Sequence, residues 1–346
     1  MKKRTLFIIL FAMLTVLTGC SGGEKTEAPA DVVEKKKEEQ KVEGTLQFYT
    51  SQPDTDATEL VKQFNVKYPD VEVKIFRSGT EEVISKILAE KEAGSIQADV
   101  LLVADSVTFE TLKEQALLEP YESPEHEGIP AAFVDPDYTY AGTKVMSTVL
   151  AVNTEKVKEL PTSWNVLTAS ENKGFSIMPS PLYSGAAAYN VGVITRQDAF
   201  GWDFFNQLKE NELTVVQGNG AALKAVLGGE KSYAMVVDFI VARAKAEGSP
   251  VEIVYPEEGV PVITEPIGLI KDAKNKATAQ AFIDFVLSEE GQKVATSIGY
   301  TPIREGMQAP EGLKIIDEMN VISAPIEELY KAREDEKRQF KELFGE

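Results

Sequence analysis

The chain has 346 residues, with 36 basic and 55 acidic side chains, a net charge of −19, one cysteine and one histidine. That charge excludes nucleic acid as a partner and electrostatic adhesion to anionic lipid. A multi-histidine zinc site cannot be built, and a Ser-His-Asp triad could use only His126, which lies in a turn-rich stretch that reads as a solvated loop.

The N-terminus reads as a leader. Lys2, Lys3 and Arg4 precede an almost wholly apolar run over 5–17, too short for a comfortable membrane span. The run ends in Leu17-Thr18-Gly19-Cys20, a small-small-Cys pattern that resembles the lipobox of bacterial lipoproteins, in which the cysteine is acylated and becomes the new N-terminus. Residues 1–19 are therefore expected to be removed, taking the net charge from −19 to −22. Cys20 then carries the lipid, and no cysteine remains for a disulfide or a nucleophile. Residues 20–43 hold hardly any large apolar side chains and read as a disordered tether. The rest of the chain exceeds one comfortable core, so two lobes are expected.

From Gly44 onward, short apolar runs alternate with amphipathic helices. Thr45–Tyr49 reads as a strand and Ser51–Asp56 as a turn, followed by a helix whose stripe is Leu60, Val61, Phe64 and Tyr68. Pro69 ends it, and the strand Val71–Phe76 follows. Ser78 and Glu81 have capping-box spacing ahead of a helix burying Val83, Ile84, Ile87 and Leu88. Val100–Ala104 is a continuous apolar run, as in a strand covered on both faces, and a helix from Val107 turns Phe109 and Leu112 inward. Residues 141–153 read as a strand leaving one lobe for the other. Strands at 177–179, 214–217, 233–238 and 251–255, with helices at 187–195, 200–210, 220–228 and 239–247, supply the second lobe. Val262–Ile270 returns as a strand, a helix covers 277–297, and a charged helix over 326–346 packs along the body. Trp164 and Trp202 read as core. The alternation from Gly44 to Leu117 indicates a largely parallel α/β lobe of three layers.

Several segments carry a family resemblance: Tyr49-Thr50-Ser51-Gln52, Arg77-Ser78-Gly79-Thr80, Gln97-Ala98-Asp99-Val100, the loop 179–190, Met235-Val236-Val237-Asp238, residues 250–259 and Gly299–Arg304. Together they are similar to the extracellular solute-binding proteins of ABC importers, in the branch of ferric-iron, phosphonate, hexose-phosphate and thiamine binders. The resemblance implies a type II periplasmic-binding-protein fold, a Venus flytrap whose two lobes are joined by two crossing strands. Residues 44–145 with 261–305 would form lobe 1, and 146–260 with 306–346 lobe 2. It further implies a monomeric binding protein, not an enzyme, that holds its solute between the lobes without a cofactor. Delivery is to a membrane permease, from an extracytoplasmic site held by lipid.

In open α/β lobes the ligand edge lies at strand C-termini and helix N-termini. The candidates there are Ser51 and Gln52, Ser78, Gly79 and Thr80, Asp105 and Ser106, Ser184, Gly185 and Ala186, and Asp238, with Arg77 and Tyr183 beside them. Most pair a small hydroxyl residue with amides that open a helix, a geometry that suits an anion; each alone reads sooner as a plain cap, and their convergence on one edge is the functional argument. An organic phosphate or phosphonate is the first expectation. Ferric iron is the alternative, but where iron-binding relatives place adjacent tyrosines this chain reads Asp238-Phe239-Ile240-Val241, and no protein metal ligand set is assigned. Tyr189 reads as packing on its helix. A surface hydrolase using two carboxylates, a sensor lipoprotein and an adhesin are readings of other classes. No carboxylate pair stands out for the first, and a sensor would keep the cleft.

Overall fold

A computed structural model describes residues 41–345. The leader, Cys20 and most of the expected tether lie outside the described residues. Among those described, no helix is long and apolar enough to cross a membrane.

The chain runs β1 (Gly44–Thr50), α1 (Asp54–Lys67), β2 (Val71–Arg77), α2 (Thr80–Glu92), β3 (Val100–Leu102), α3 (Ser106–Glu114) and β4 (Leu118–Glu119). The long β5 (Ala141–Asn153) leads to β6 (Ser176–Pro179), α4 (Gly185–Ile194), α5 (Gly201–Glu210), β7 (Thr214–Val216), α6 (Asn219–Leu227), β8 (Tyr233–Val237), α7 (Asp238–Ala246) and β9 (Val251–Val254). The second long strand, β10 (Val260–Ile270), is followed by α8 (Lys276–Leu287), α9 (Glu289–Ser297), β11 (Thr301–Pro302), β12 (Val321–Ile322) and α10 (Ile326–Phe344).

The strand order is β2-β1-β3-β10-β5-β8-β6-β7. In lobe 1, β1 runs parallel to β2 and β3, and β10 lies antiparallel to β3. In lobe 2, β6 runs parallel to β7 and β8. β5 belongs to both lobes. Residues up to Ser147 pair with β10, whereas Thr148 onward pairs with β8 and β9. All 13 of its residues are buried, which explains why its sequence shows no polar alternation. β5 and β10 are the two crossings of a two-lobed type II binding-protein fold.

Lobe 1 packs one sheet face on α1 and α8, where the Phe282 ring lies 4.8 Å from that of Phe48 and 4.9 Å from that of Phe64. The other face holds Val83, Ile87, Phe109 and Leu112 from α2 and α3. The lobe 2 core contains Trp164, Phe204, Phe205 and Phe340, and the Trp164 indole donates to the Gly259 carbonyl at 2.8 Å. Trp202 is partly buried against this core.

Some local details differ from the sequence reading. The capping box at Ser78 is replaced: Gly79 is the N-cap of α2 and makes no side-chain cap, while the Ser78 hydroxyl bonds Glu82. The helix expected over 277–297 breaks at Ser288, whose hydroxyl accepts the Gly291 amide at 3.2 Å and starts α9. α1 begins earlier than expected, inside the supposed turn, with Asp54 and Asp56 favourably placed in its positive first turn. His126 is half-buried, stacked 5.6 Å from Tyr138, and burial lowers its pKa.

Phe282 joins the aromatic contacts of α1, α8 and β1, so Phe282→Ala should cost about 3–5 kcal/mol of stability, read by denaturant unfolding. A loss below about 1 kcal/mol would show that this cluster does not hold lobe 1 together.

Candidate functional site

A cavity of about 360 Å³ opens between the lobes, beside the two crossing strands. Lobe 1 contributes Ser51, Arg77, Gly79, Thr80, Ala104 and Tyr300 to its lining, and the crossings contribute Met146 and Glu265. Lobe 2 contributes three stretches: Tyr183–Ala186, Gln217–Ala221, and Val237 with Phe239 and Ile240.

The lobe 2 wall is made of helix beginnings. Ser184 caps α4 by accepting the Ala187 amide at 3.3 Å. The Gly185 and Ala186 amides belong to the first turn, where no intrahelical carbonyl is in reach. α6 starts after Gly218 without a side-chain cap. Its first residue, Asn219, donates to the Ser184 hydroxyl at 3.2 Å and accepts from the Val237 amide at 3.2 Å. One amide side chain thereby fixes the openings of α4 and α6 against the end of β8. Two helix N-termini converge on the space, and both favour negative charge there.

Opposite them, Arg77 donates through Nε to the Gln52 carbonyl at 2.8 Å, which steers its guanidinium to the lining. At the crossing, Glu265 is buried and its Oε2 lies 2.5 Å from Lys144 Nζ. Ser51 Oγ lies 3.5 Å from Glu265 Oε1. Glu265 is the one carboxylate in the cavity lining among the described residues. Tyr300 is held as a neutral phenol: burial, then the nearby Glu265 and Asp56 charges, raise its pKa well above the ordinary value, and its hydroxyl donates to Asp56 at 2.7 Å.

The lobes approach closely at two glycines. A Cβ on Gly79 would stand 2.6 Å from the Tyr183 ring and carbonyl, and one on Gly185 would stand 2.5 Å from the Ala104 carbonyl. Across the same seam the Glu81 amide donates to the Tyr183 carbonyl at 3.3 Å.

Of the residues singled out from sequence, Ser51, Arg77, Gly79, Thr80, Tyr183, Ser184, Gly185 and Ala186 are brought together around this cavity. The other five lie elsewhere. Gln52 is buried behind the lining, and Ser78 faces Glu82. Asp105 is fully buried, caps α3 through the Thr108 amide at 2.9 Å and pairs with Arg333 at 2.5 Å. Ser106 bonds Thr264 across 3.1 Å and lines a separate cavity of about 340 Å³. Asp238 turns away from the cavity although Val237 and Phe239 line it. As the first residue of α7 rather than its cap, it accepts from Ser147 Oγ at 2.5 Å and the Phe239 amide at 2.8 Å.

Sequence reasoning missed Gln217–Ala221, Met146, Phe239, Ile240, Glu265 and Tyr300. Two signals were legible. Gly218-Asn219-Gly220 joins a strand to a helix as an open cradle would, and Glu265 is an acidic residue within an otherwise apolar strand.

Comparison with known proteins settles what this arrangement belongs to. The profile of the family described as bacterial extracellular solute-binding protein matches residues 59–319. The chain is a member of that family. It is 24% identical over 270 residues to a probable ABC transporter periplasmic-binding protein, y4fP, of Sinorhizobium fredii, spanning 75% of this chain and 74% of that one. The periplasmic binding protein AfuA of Actinobacillus pleuropneumoniae, solved with fructose-6-phosphate, superposes with a TM-score of 0.81 at 25% identity over 87% of this chain and 98% of that one. Iron-bound HitA of Pseudomonas aeruginosa does so with a TM-score of 0.75 at 26% identity, over 86% and 99%. The two solved neighbours share this fold, one with fructose-6-phosphate bound and the other with iron.

Burial pushes the Asp238 carboxyl up to about 6, against the Ser147 and backbone hydrogen bonds that favour its charge. The folded state therefore holds this proton between the ordinary 3.8 and about 6, and stability falls as pH rises through that window. Asp238→Asn should raise stability at pH 8 by roughly 2–3 kcal/mol, a gain that disappears by about pH 3.5. An equal effect at both pH values would show that the buried charge is not its cause.

Proposed function

We propose that this solute-binding protein serves an ABC importer and captures a small organic phosphate or phosphonate. In this reading it is lipid-anchored through Cys20 outside the cytoplasmic membrane, catalyses no reaction, and hands its solute to the permease as a monomer. Residues 44–145 with 261–305 form one jaw and 146–260 with 306–346 the other. The observation that carries the reading is the convergence of the α4 and α6 N-termini, tied by Ser184 and Asn219, with Arg77 on the facing lobe.

A phosphoryl group seated at Gly185, Ala186 and the α6 opening meets amide donors and two helix dipoles, with Arg77 to neutralise its remaining charge. The volume of about 360 Å³ suits a small solute. Glu265, charge-balanced by Lys144, then accepts from a hydroxyl or ammonium group at the other end of the molecule. Phe239, Ile240 and Met146 cover its apolar part. Micromolar affinity needs about 8 kcal/mol, and hydrogen bonds to a charged group contribute about 1.5–3 kcal/mol each, so four or more offset the cost of association.

Iron is less well served. Among the described residues no cluster of three or more His, Cys, Asp or Glu side chains could hold a metal ion. Of the two tyrosines in the lining, Tyr183 and Tyr300, the Tyr300 phenol is committed to Asp56.

A melting-shift and calorimetry series with hexose phosphates, aminoalkylphosphonates, inorganic phosphate and ferric citrate tests the proposal. Stabilisation by an organophosphate is expected, growing with its concentration by linkage. Arg77→Met should weaken that binding tenfold or more with little change in the solute-free melting temperature. Stabilisation by ferric salts alone, with phenolate-to-iron absorbance, overturns it.

A further inference from the structure

One polar contact beside the cavity joins the two lobes directly and involves no solute. Arg243, on α7 of lobe 2, reaches Asp56 in the first turn of α1 in lobe 1. Its two terminal nitrogens donate to the two carboxylate oxygens at 3.0 and 2.8 Å, the bidentate geometry in which a guanidinium binds most strongly. Asp56 is buried and also accepts from the Tyr300 hydroxyl at 2.7 Å and the Thr55 hydroxyl at 3.1 Å. Arg243 also lies over the Phe239 and Tyr300 rings, 4.8 and 5.3 Å from their centroids. Those rings come from opposite lobes, lie 4.2 Å apart and both line the cavity.

We propose that the Arg243–Asp56 pair is a solute-independent latch: it draws α7 onto α1 and populates the closed form before any solute arrives. The contact forms only when the lobes meet, so its free energy enters the closing equilibrium alone. Opening rehydrates both groups, which makes the pair a bias and not a lock. It acts through Phe239 and Tyr300, and Arg243 is therefore a positioning residue: it assembles one wall of the cavity from two lobes without touching solute. The charges follow the same pattern elsewhere on the seam. Arg333 and Lys337 of α10, whose Phe340 lies in the lobe 2 core, pair with Asp105 and Glu81 of lobe 1 at 2.5 and 2.7 Å. In all three pairs the cation is on lobe 2 and the carboxylate on lobe 1. A solute that binds only the closed form gains apparent affinity in proportion to the closed fraction, whatever its chemistry.

The test needs no solute. Cys20 is the only cysteine, so the full chain carrying Cys20→Ser accepts spin labels at Lys62→Cys on α1 and Glu247→Cys just after α7, both exposed. Double electron–electron resonance on the solute-free protein should show a short-distance population. Arg243→Met should move most of it to longer distances, Asp56→Asn should do the same, and the double variant should go no further than either. Unfolding midpoints control for damage to the lobes, and Asp56→Asn alone decides the matter should Arg243→Met fail to fold. A distribution that Asp56→Asn leaves unchanged, or a parent protein found only at long distance, overturns the latch.

Discussion

The molecule depends on β5, a single buried strand that two sheets share. Its first half completes the lobe 1 sheet against β10 and its second half completes the lobe 2 sheet against β8 and β9. Neither lobe could lose this strand without exposing a row of unpaired backbone groups. The lobes are therefore joined along β5 near Ser147 and Thr148, beside the second crossing β10. The cavity lies against that junction because helix beginnings on either side of a shared strand must face each other there.

Charge works at two ranges in this protein. At long range the net charge of −19 repels an anion, so electrostatic steering would slow the encounter of an anionic solute and not accelerate it. Within the cavity the balance reverses, because amides and helix N-termini act at contact distance, below the screening length of physiological salt. Capture of an anion would therefore rest on short hydrogen bonds, and such bonds govern dissociation more than association. At the seam lobe 1 presents the carboxylates Asp56, Glu81 and Asp105, which cations of lobe 2 meet.

The layered α/β order and both crossings were legible in the sequence because apolar periodicity and strand length are local properties. Ser51, Thr80 and Ser184 were legible as cleft residues because strand ends followed by small hydroxyl residues place them on one edge. Asp105 and Asp238 carry the same signal and yet face inward. Each finds a buried partner remote in sequence, Arg333 for the first and Ser147 for the second. Local pattern cannot distinguish a carboxylate aimed at solute from one committed to a partner more than 90 positions away. Tyr300 was missed for a related reason, since only the assembled lobes bring it to the cavity.

At Gly185 and Gly79 the limit of approach between the lobes is set by the Ala104 and Tyr183 carbonyls, the Tyr183 ring and the Thr80 side chain, with no long flexible aliphatic chain between them. Carbonyl oxygens do not change rotamer. Between shut lobes the floor would therefore be bounded by carbonyls, one ring and a stiff β-branched side chain, leaving a bulkier guest little room gained by repacking. It would instead have to hold the jaws ajar, so a docking partner that reads jaw separation would also be measuring the size of the cargo.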